Sequence, residues 1–253
     1  MLAQSASINA SPSPLIQQQS IVSVIRNTFA IYGKGFSNFL ICLLPTLPFA
    51  IWAQESLASH AMAQYWIAAL FSTFLAWLAF GAISISVSDI CLGHAPSLTR
   101  SCDKLFGGAA GTLLIVNILQ LLIVVGGLIL FIIPGIIASL WLLFISPVVV
   151  LEGVGGINAL KRSKAIAQGY NLRNLGVLVL LTIISALCGG ILGYLFGLLF
   201  PMAVDHWPCR LFISVVGLLA QPISLIAVVL LYYDLRARKE SYDAAALAQD
   251  LKR

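Results

Sequence analysis

A chain of 253 residues that is 60% hydrophobic and 9% charged has too little polar surface to coat a water-soluble globule, where about 25% of residues carry charge. With a mean hydropathy of +1.00 and a net charge of +5, it reads as an all-α polytopic membrane protein whose cations sit in its connections. Five scattered cysteines, Cys42, Cys91, Cys102, Cys188 and Cys209, show no Cys-x-x-Cys pair and no histidine at ligand spacing, so neither a disulfide framework nor a metal site is expected.

Residues 1–19 are rich in Ser, Gln and Pro, which predicts a disordered tail. They hold no Lys or Arg and no apolar core of signal-peptide length, so the first hydrophobic segment should be retained. From Ser20 the pattern changes. Ile21, Val24, Ile25, Thr28, Phe29 and Tyr32 share one helix face while Arg26, Asn27 and Lys34 lie off it, predicting an amphipathic interfacial helix that ends at Gly33-Lys34-Gly35.

A membrane crossing needs about 20 apolar residues, because a helix rises about 1.5 Å per residue through hydrocarbon about 30 Å thick. This rule places crossings at residues 36–53, kinked by Pro45 and Pro48, and 65–90, with Glu55 and His60 in the loop between. Pro96 and Ser97 start a second interfacial helix that carries Arg100 and Lys104 one turn apart. The apolar stretch Phe106–Leu151 spans 46 residues. As one helix it would be about 69 Å long, so it must contain two crossings. They are expected at residues 106–132 and 135–151, reversing at Ile133-Pro134-Gly135.

Glu152 ends the fourth crossing, and Gly153, Gly155 and Gly156 turn the chain into a third short helix. Ile157, Leu160, Ala165 and Ile166 line one face of it, with Lys161, Arg162 and Lys164 to the sides, as in a helix whose cations snorkel to phosphate headgroups. A solvated linker carrying stop-transfer charges is the alternative. Crossings five and six are expected at residues 175–200 and 211–233, completing a membrane domain over residues 20–235. Residues 236–253 mix charges with Ala and Leu, as an exposed cytoplasmic tail would.

Thirteen of the fourteen cationic residues fall on one side of this arrangement, with Arg210 alone on the other. The positive-inside rule then puts both termini in the cytoplasm. The domain also repeats three times. Each pair of crossings follows a basic residue and a small polar one (Arg26-Asn27, Arg100-Ser101, Arg162-Ser163) and ends on an acid, Asp89, Glu152 or Asp234. The opposite charges are placed to pair near the interface, or else they simply mark segment ends.

Gly189, Gly193 and Gly197 form a stripe in the fifth crossing, which fits helix packing inside the bundle or a homodimer seam. Gly107 and Gly111 do the same at the start of the third. Asn117, Gln120 and Gln221 are intramembrane amides suited to helix-to-helix hydrogen bonds or to a polar route. No Gly-x-Ser-x-Gly, His-Glu-x-x-His or phosphate loop occurs, and neither a catalytic set nor a cofactor is expected. Ser84, Ser86 and Ser88 lack a His or Lys to activate them and read as packing residues.

The run IIPGIIASLWLLFISPVVVLEGVGGINALKRSKAIAQGY and the ending LYYDLRARKESYDAAALAQDL resemble the membrane domain associated with some bacterial glycerophosphoryl diester phosphodiesterases. The likeness covers about Ile21 to Leu251 and is sharpest at Pro134-Gly135, Glu152, Ala159-Leu160, Arg162-Ser163 and Tyr232–Arg236. It implies a stand-alone six-helix protein of unassigned function, since no phosphodiesterase barrel accompanies it. The expectation is therefore a non-catalytic protein of the bacterial inner membrane, or a related internal membrane, that works through anionic lipids or membrane-protein partners. Arg26, Arg100, Lys161, Arg162, Lys164 and Arg236 are the headgroup candidates, and nucleic acid is not an expected partner, because aromatics are not interleaved with the cations. A permease for a small or lipidic substrate and a membrane anchor for an enzyme on another chain are the competing readings.

Overall fold

The computed structural model describes residues 14–200 and 207–250, and its regular structure is helical. Helix α1 (Ile21–Leu43) is capped by Ser20, whose Oγ accepts the Ser23 N–H at 3.1 Å. It runs straight through Gly33-Lys34-Gly35, where a break was expected. Gly35 serves close approach instead. A β-carbon there would lie 2.5 Å from the Phe39 ring and 3.0 Å from Ile90 of the neighbouring helix. The first interfacial helix and the first crossing are thus one element, interrupted only at the turn Leu44–Thr46, where Pro45 and Pro48 withhold their N–H groups, and continued by α2 (Leu47–Ala58).

After α3 (Met62–Cys91), Ser97 caps the short α4 (Leu98–Lys104), and a wide turn over Leu105–Ala109 leads into α5 (Ala110–Leu130). Reversal into α6 (Ile132–Trp141) takes a single extended residue, Phe131. Pro134 lies in the first turn of α6, where a missing N–H is harmless, so the turn falls before the proline and not on it. Gly135 brings the hairpin arms together: a β-carbon on Gly127 would sit 3.0 Å from the Gly135 Cα. The fourth crossing also differs from expectation, because it breaks at Leu142–Phe144 before α7 (Ile145–Glu152). Pro147 explains this, since its ring excludes the Leu143 carbonyl from a helical bond.

Gly153 at φ +68 ends α7. The chain then folds back along α7 as α8 (Gly156–Ala167), continues as α9 (Asn171–Leu199) and α10 (Trp207–Glu240), and finishes with α11 (Ala244–Asp250). Among the described residues, six helical segments are long and apolar enough to cross a membrane: Ile21–Ala58, Met62–Cys91, Leu98–Leu130, Ile132–Glu152, Asn171–Leu199 and Trp207–Glu240. The protein is a multi-pass, all-α membrane protein built of three hairpins.

Their second arms, α3, α7 and α10, meet at the centre, where Phe144 packs on Tyr232 and Ser88 Oγ lies 2.5 Å from the Tyr233 hydroxyl. Gly81–Cys91, Phe144–Leu151 and Ile226–Arg236 are buried without interruption. At the far end, by contrast, large apolar groups such as Ile129 (79% exposed) and Phe131 face outward, as lipid contact demands. With 30 and 34 residues, α3 and α10 would be about 45 and 51 Å long, against about 30 Å of hydrocarbon. The wholly buried ends therefore project past the hydrocarbon at the basic end, sheathed by α1, α4, α8 and α11.

Two expectations about the chain ends change accordingly. Residues 1–13 lie outside the described part, but Ile16 and Gln19 are buried in the sheath and are not part of a free tail. The carboxyl segment is docked as well, with Tyr242 and Leu247 in the core. Charges of this segment are paired and not simply solvated: Arg236 pairs with Glu240 and Asp250 of the same segment, and Glu240 also with Arg162 of α8.

Candidate functional site

The three acids near the ends of α3, α7 and α10 each hold at least one arginine. Asp89, 1% exposed in its side chain, receives Arg100 Nη1 at 2.9 Å. Ser101, the next residue, turns into the core, and its Oγ lies 3.1 Å from Ser86 Oγ. Glu152 repeats the device: Arg162 Nε donates to its Oε2 at 2.7 Å, and Ser163 turns inward to the break between α6 and α7. In both cases a helix that begins just after the acid folds back, so its arginine reaches the carboxylate and its serine reaches the backbone or a neighbouring hydroxyl. The arginine of one repeat thus grips the acid of the repeat before it.

The third acid breaks the pattern. Asp234, fully buried, is held by Arg173 at the start of α9, by Arg238 one turn along at 3.0 Å, and by the Gln19 N–H at 2.6 Å. The Gln19 carbonyl accepts from both arginines, at 2.7 and 2.8 Å. Arg26, which the repeat would assign to this acid, is exposed and makes no ion pair among the described residues. Its neighbour Asn27 reaches the site indirectly by donating to Gln19 Oε1 at 2.9 Å. The amino-terminal peptide has taken the place of the third arginine.

Around Glu152 the latch widens into a network. Arg162 also forms a two-pronged pair with Glu240, at 2.5 and 2.8 Å. That pair, opposed by burial and helped by Glu152, holds the Arg162 guanidinium protonated well above its ordinary range. Tyr232 donates to Glu152 Oε1 at 2.7 Å. Arg236 donates to the Tyr232 hydroxyl, to Glu240 Oε2 and to Asp250 Oδ2, each at 3.0 Å, and its guanidinium lies 3.6 Å over the Tyr242 ring. Tyr242 in turn donates to Asp250 at 2.7 Å; burial, followed by this bond, pushes its phenol above the usual tyrosine value. Chemically, this arrangement fixes three helix ends and the carboxyl segment to one another.

Three expected headgroup cations, Arg100, Arg162 and Arg236, are therefore turned onto carboxylates. Lys161 and Lys164 remain exposed on α8, with Lys164 Nζ 4.1 Å above the Trp141 ring. Sequence reasoning missed Arg173, Arg238, Glu240, Tyr232, Asp250 and Gln19. The i,i+4 spacings Asp234–Arg238 and Arg236–Glu240 were available signals.

The amides separate in space. Asn117 is buried and donates to the Leu113 carbonyl of its own helix at 2.7 Å, and Gln120 is half-buried on α5. Gln221 lines a cleft between α2, α3 and α10. The glycine stripe is not a seam of touching backbones. A β-carbon on Gly189 would meet Val216 at an ordinary 3.8 Å, and those on Gly193, Gly107 and Gly111 would meet nothing within 4 Å. Gly197 is half-buried. Close approaches occur instead at Gly35, Gly81 and the Gly127–Gly135 pair. Among the described residues no group of three or more His, Cys, Asp or Glu could hold a metal ion.

No curated protein and no solved structure matches the chain. Residues 55–234, from the end of α2 to the third acid, match a family described as a domain of unknown function, DUF7847, and the chain belongs to that family.

Proposed function

We propose that this protein is a non-catalytic component of a bacterial inner membrane that gathers anionic lipid, and through it membrane-protein partners, at its basic end, in membrane organisation or maintenance. Both chain ends then face the cytoplasm, in keeping with the crowding of cations on that side. The observation that carries the reading is the division of labour on α8. Arg162 turns inward to Glu152 and Glu240, while Lys161 and Lys164 on either side of it stay outward. A latched helix thus presents two exposed cations, Lys164 over the Trp141 ring, an aromatic of the kind that settles at headgroup depth. Arg26 and Lys34 add exposed cations on α1. We propose on the same footing a kinship with the phosphodiesterase-associated membrane domain.

The test is native mass spectrometry of the purified protein with phosphatidylglycerol and phosphatidylcholine. Changing Lys161 and Lys164 to Ala should remove retained phosphatidylglycerol and leave phosphatidylcholine alone. Equal retention of phosphatidylglycerol by variant and parent would sink the reading.

A further inference from the structure

We propose that the cleft between α2, α3 and α10 is a binding site for an uncharged hydrogen-bonding group, a hydroxyl or an amide, carried on a hydrocarbon chain and entering sideways from the bilayer. The cleft measures about 360 Å³, and among its lining residues Thr46, Gln54, Ser72, Ser214 and Gln221 are polar, Thr46 donating to the Leu43 carbonyl, while Ala50 and Gly217 leave room. That size accommodates the head of an amphiphile.

Its depth follows from its surroundings. Trp52 and Leu57 on α2, Leu70 and Phe71 on α3, and Ile213 on α10 are all large, apolar and exposed, so this part of the bundle faces lipid. Polar groups at that depth are costly unless paired. One pair is made inside the protein: Gln54 Nε2 donates to Ser214 Oγ at 2.8 Å, joining α2 to α10. The Gln221 amide and the Ser72 hydroxyl form no side-chain hydrogen bond to any described residue, although both line the cleft. In addition, Pro222 has no N–H to offer the Leu218 carbonyl, and Leu218 is another lining residue. The Gln221 amide and the Ser72 hydroxyl thus bring donors and acceptors without side-chain partners to one space.

The space itself is open by design of the backbone. Gly217 has no atom within 4 Å of where a β-carbon would stand, so it widens the cleft and does not bring two helices together. One turn from Ser214, Arg210 pairs with Glu55, the residue after Gln54. This ion pair ties α2 to α10 beyond Gln54 and Ser214, so the proposed entry is from the side, past the exposed Phe71 and Ile213. Among the described residues the lining contains no Asp, Glu, Lys or Arg, which selects a neutral group.

The probe is a diacylglycerol with a diazirine in one chain, offered to the full-length protein in phosphatidylcholine nanodiscs, against the same molecule with its hydroxyl methylated. Photolabelling of segments 46–54 and 213–221 should be about tenfold stronger with the free hydroxyl, the value of one added hydrogen bond. Gly217→Leu, whose β-carbon enters open space and whose side chain extends into the cleft, should abolish it, and a melting temperature measured alongside checks that the bundle is intact. Gln221→Leu, an independent variant, should lower it about tenfold. Equal labelling by the two probes, or full labelling of Gly217→Leu, would overturn the proposal. So would labelling spread evenly over the lipid-facing helices.

Discussion

Ser163 bridges the gap in the fourth crossing that opens at Phe144: its Oγ accepts the Phe144 N–H at 3.2 Å and donates to the Trp141 carbonyl at 2.8 Å. A hydroxyl from α8 thereby satisfies two backbone groups that the proline-induced break would strand in a buried place. Ser163→Ala removes both bonds and leaves the Phe144 N–H without a partner. The expected loss is about 1–3 kcal/mol, read as a lowered unfolding free energy in detergent, whereas Ser139→Ala, on the exposed side of α6, should be near neutral. Equal effects of the two changes would remove Ser163 from this role.

How far such features could be read from the chain alone depends on their range. The six crossings were legible because a run of apolar residues is a one-dimensional signal that needs no partner to interpret it. The acids and arginines at the segment ends were legible as possible partners, but not which would pair; a turn and a short helix over ten or eleven residues is what brings Asp89 to Arg100 and Glu152 to Arg162. The latch on Asp234 was not. Its holders, Gln19 and Arg173, lie 215 and 61 residues away, and the place expected for Arg26 is filled by a main-chain amide that carries no sequence signature. The docking of the carboxyl segment was hidden for the same reason, because Tyr242 and Asp250 acquire meaning only once Arg236 stands beside them. The hairpin turn was misplaced by a local ambiguity: a proline fits the first turn of a helix as well as it fits a reversal.

The Glu152–Arg162 latch can be measured as a coupling. Removing Arg162 takes from Glu152 the nearer of its two cations and leaves it Arg236 at 3.7 Å, so the expected loss is at most about 3 kcal/mol, the low end for a broken buried pair. Glu240 is a second partner of Arg162, so the cycle is best run with Glu240→Gln in every arm. In that background Arg162→Ala should cost at least about 1 kcal/mol more while Glu152 is intact than after Glu152→Gln has neutralised it. Additive losses would mean that the pair contributes geometry without energy.

Docking of the carboxyl segment should respond to alkali and to nothing milder. Tyr242 is buried and donates to Asp250, and both conditions favour its neutral form in the folded state. A phenol whose value is raised on folding contributes stability that is complete below the ordinary value of about 10 and is lost as pH climbs through the raised one. The segment should therefore stay docked without change from about pH 6 to 9 and loosen only above about 10. Absorbance titration at the phenolate band, taken as the difference between the parent and Tyr242→Phe, isolates this one group from the other tyrosines. Its midpoint is expected above the ordinary value, chiefly through burial and then through the bond to Asp250, and should move down when Asp250→Ala removes the acceptor. An ordinary midpoint in the parent would show that Tyr242 stands in solvent and that the segment is not held by Arg236 and Asp250.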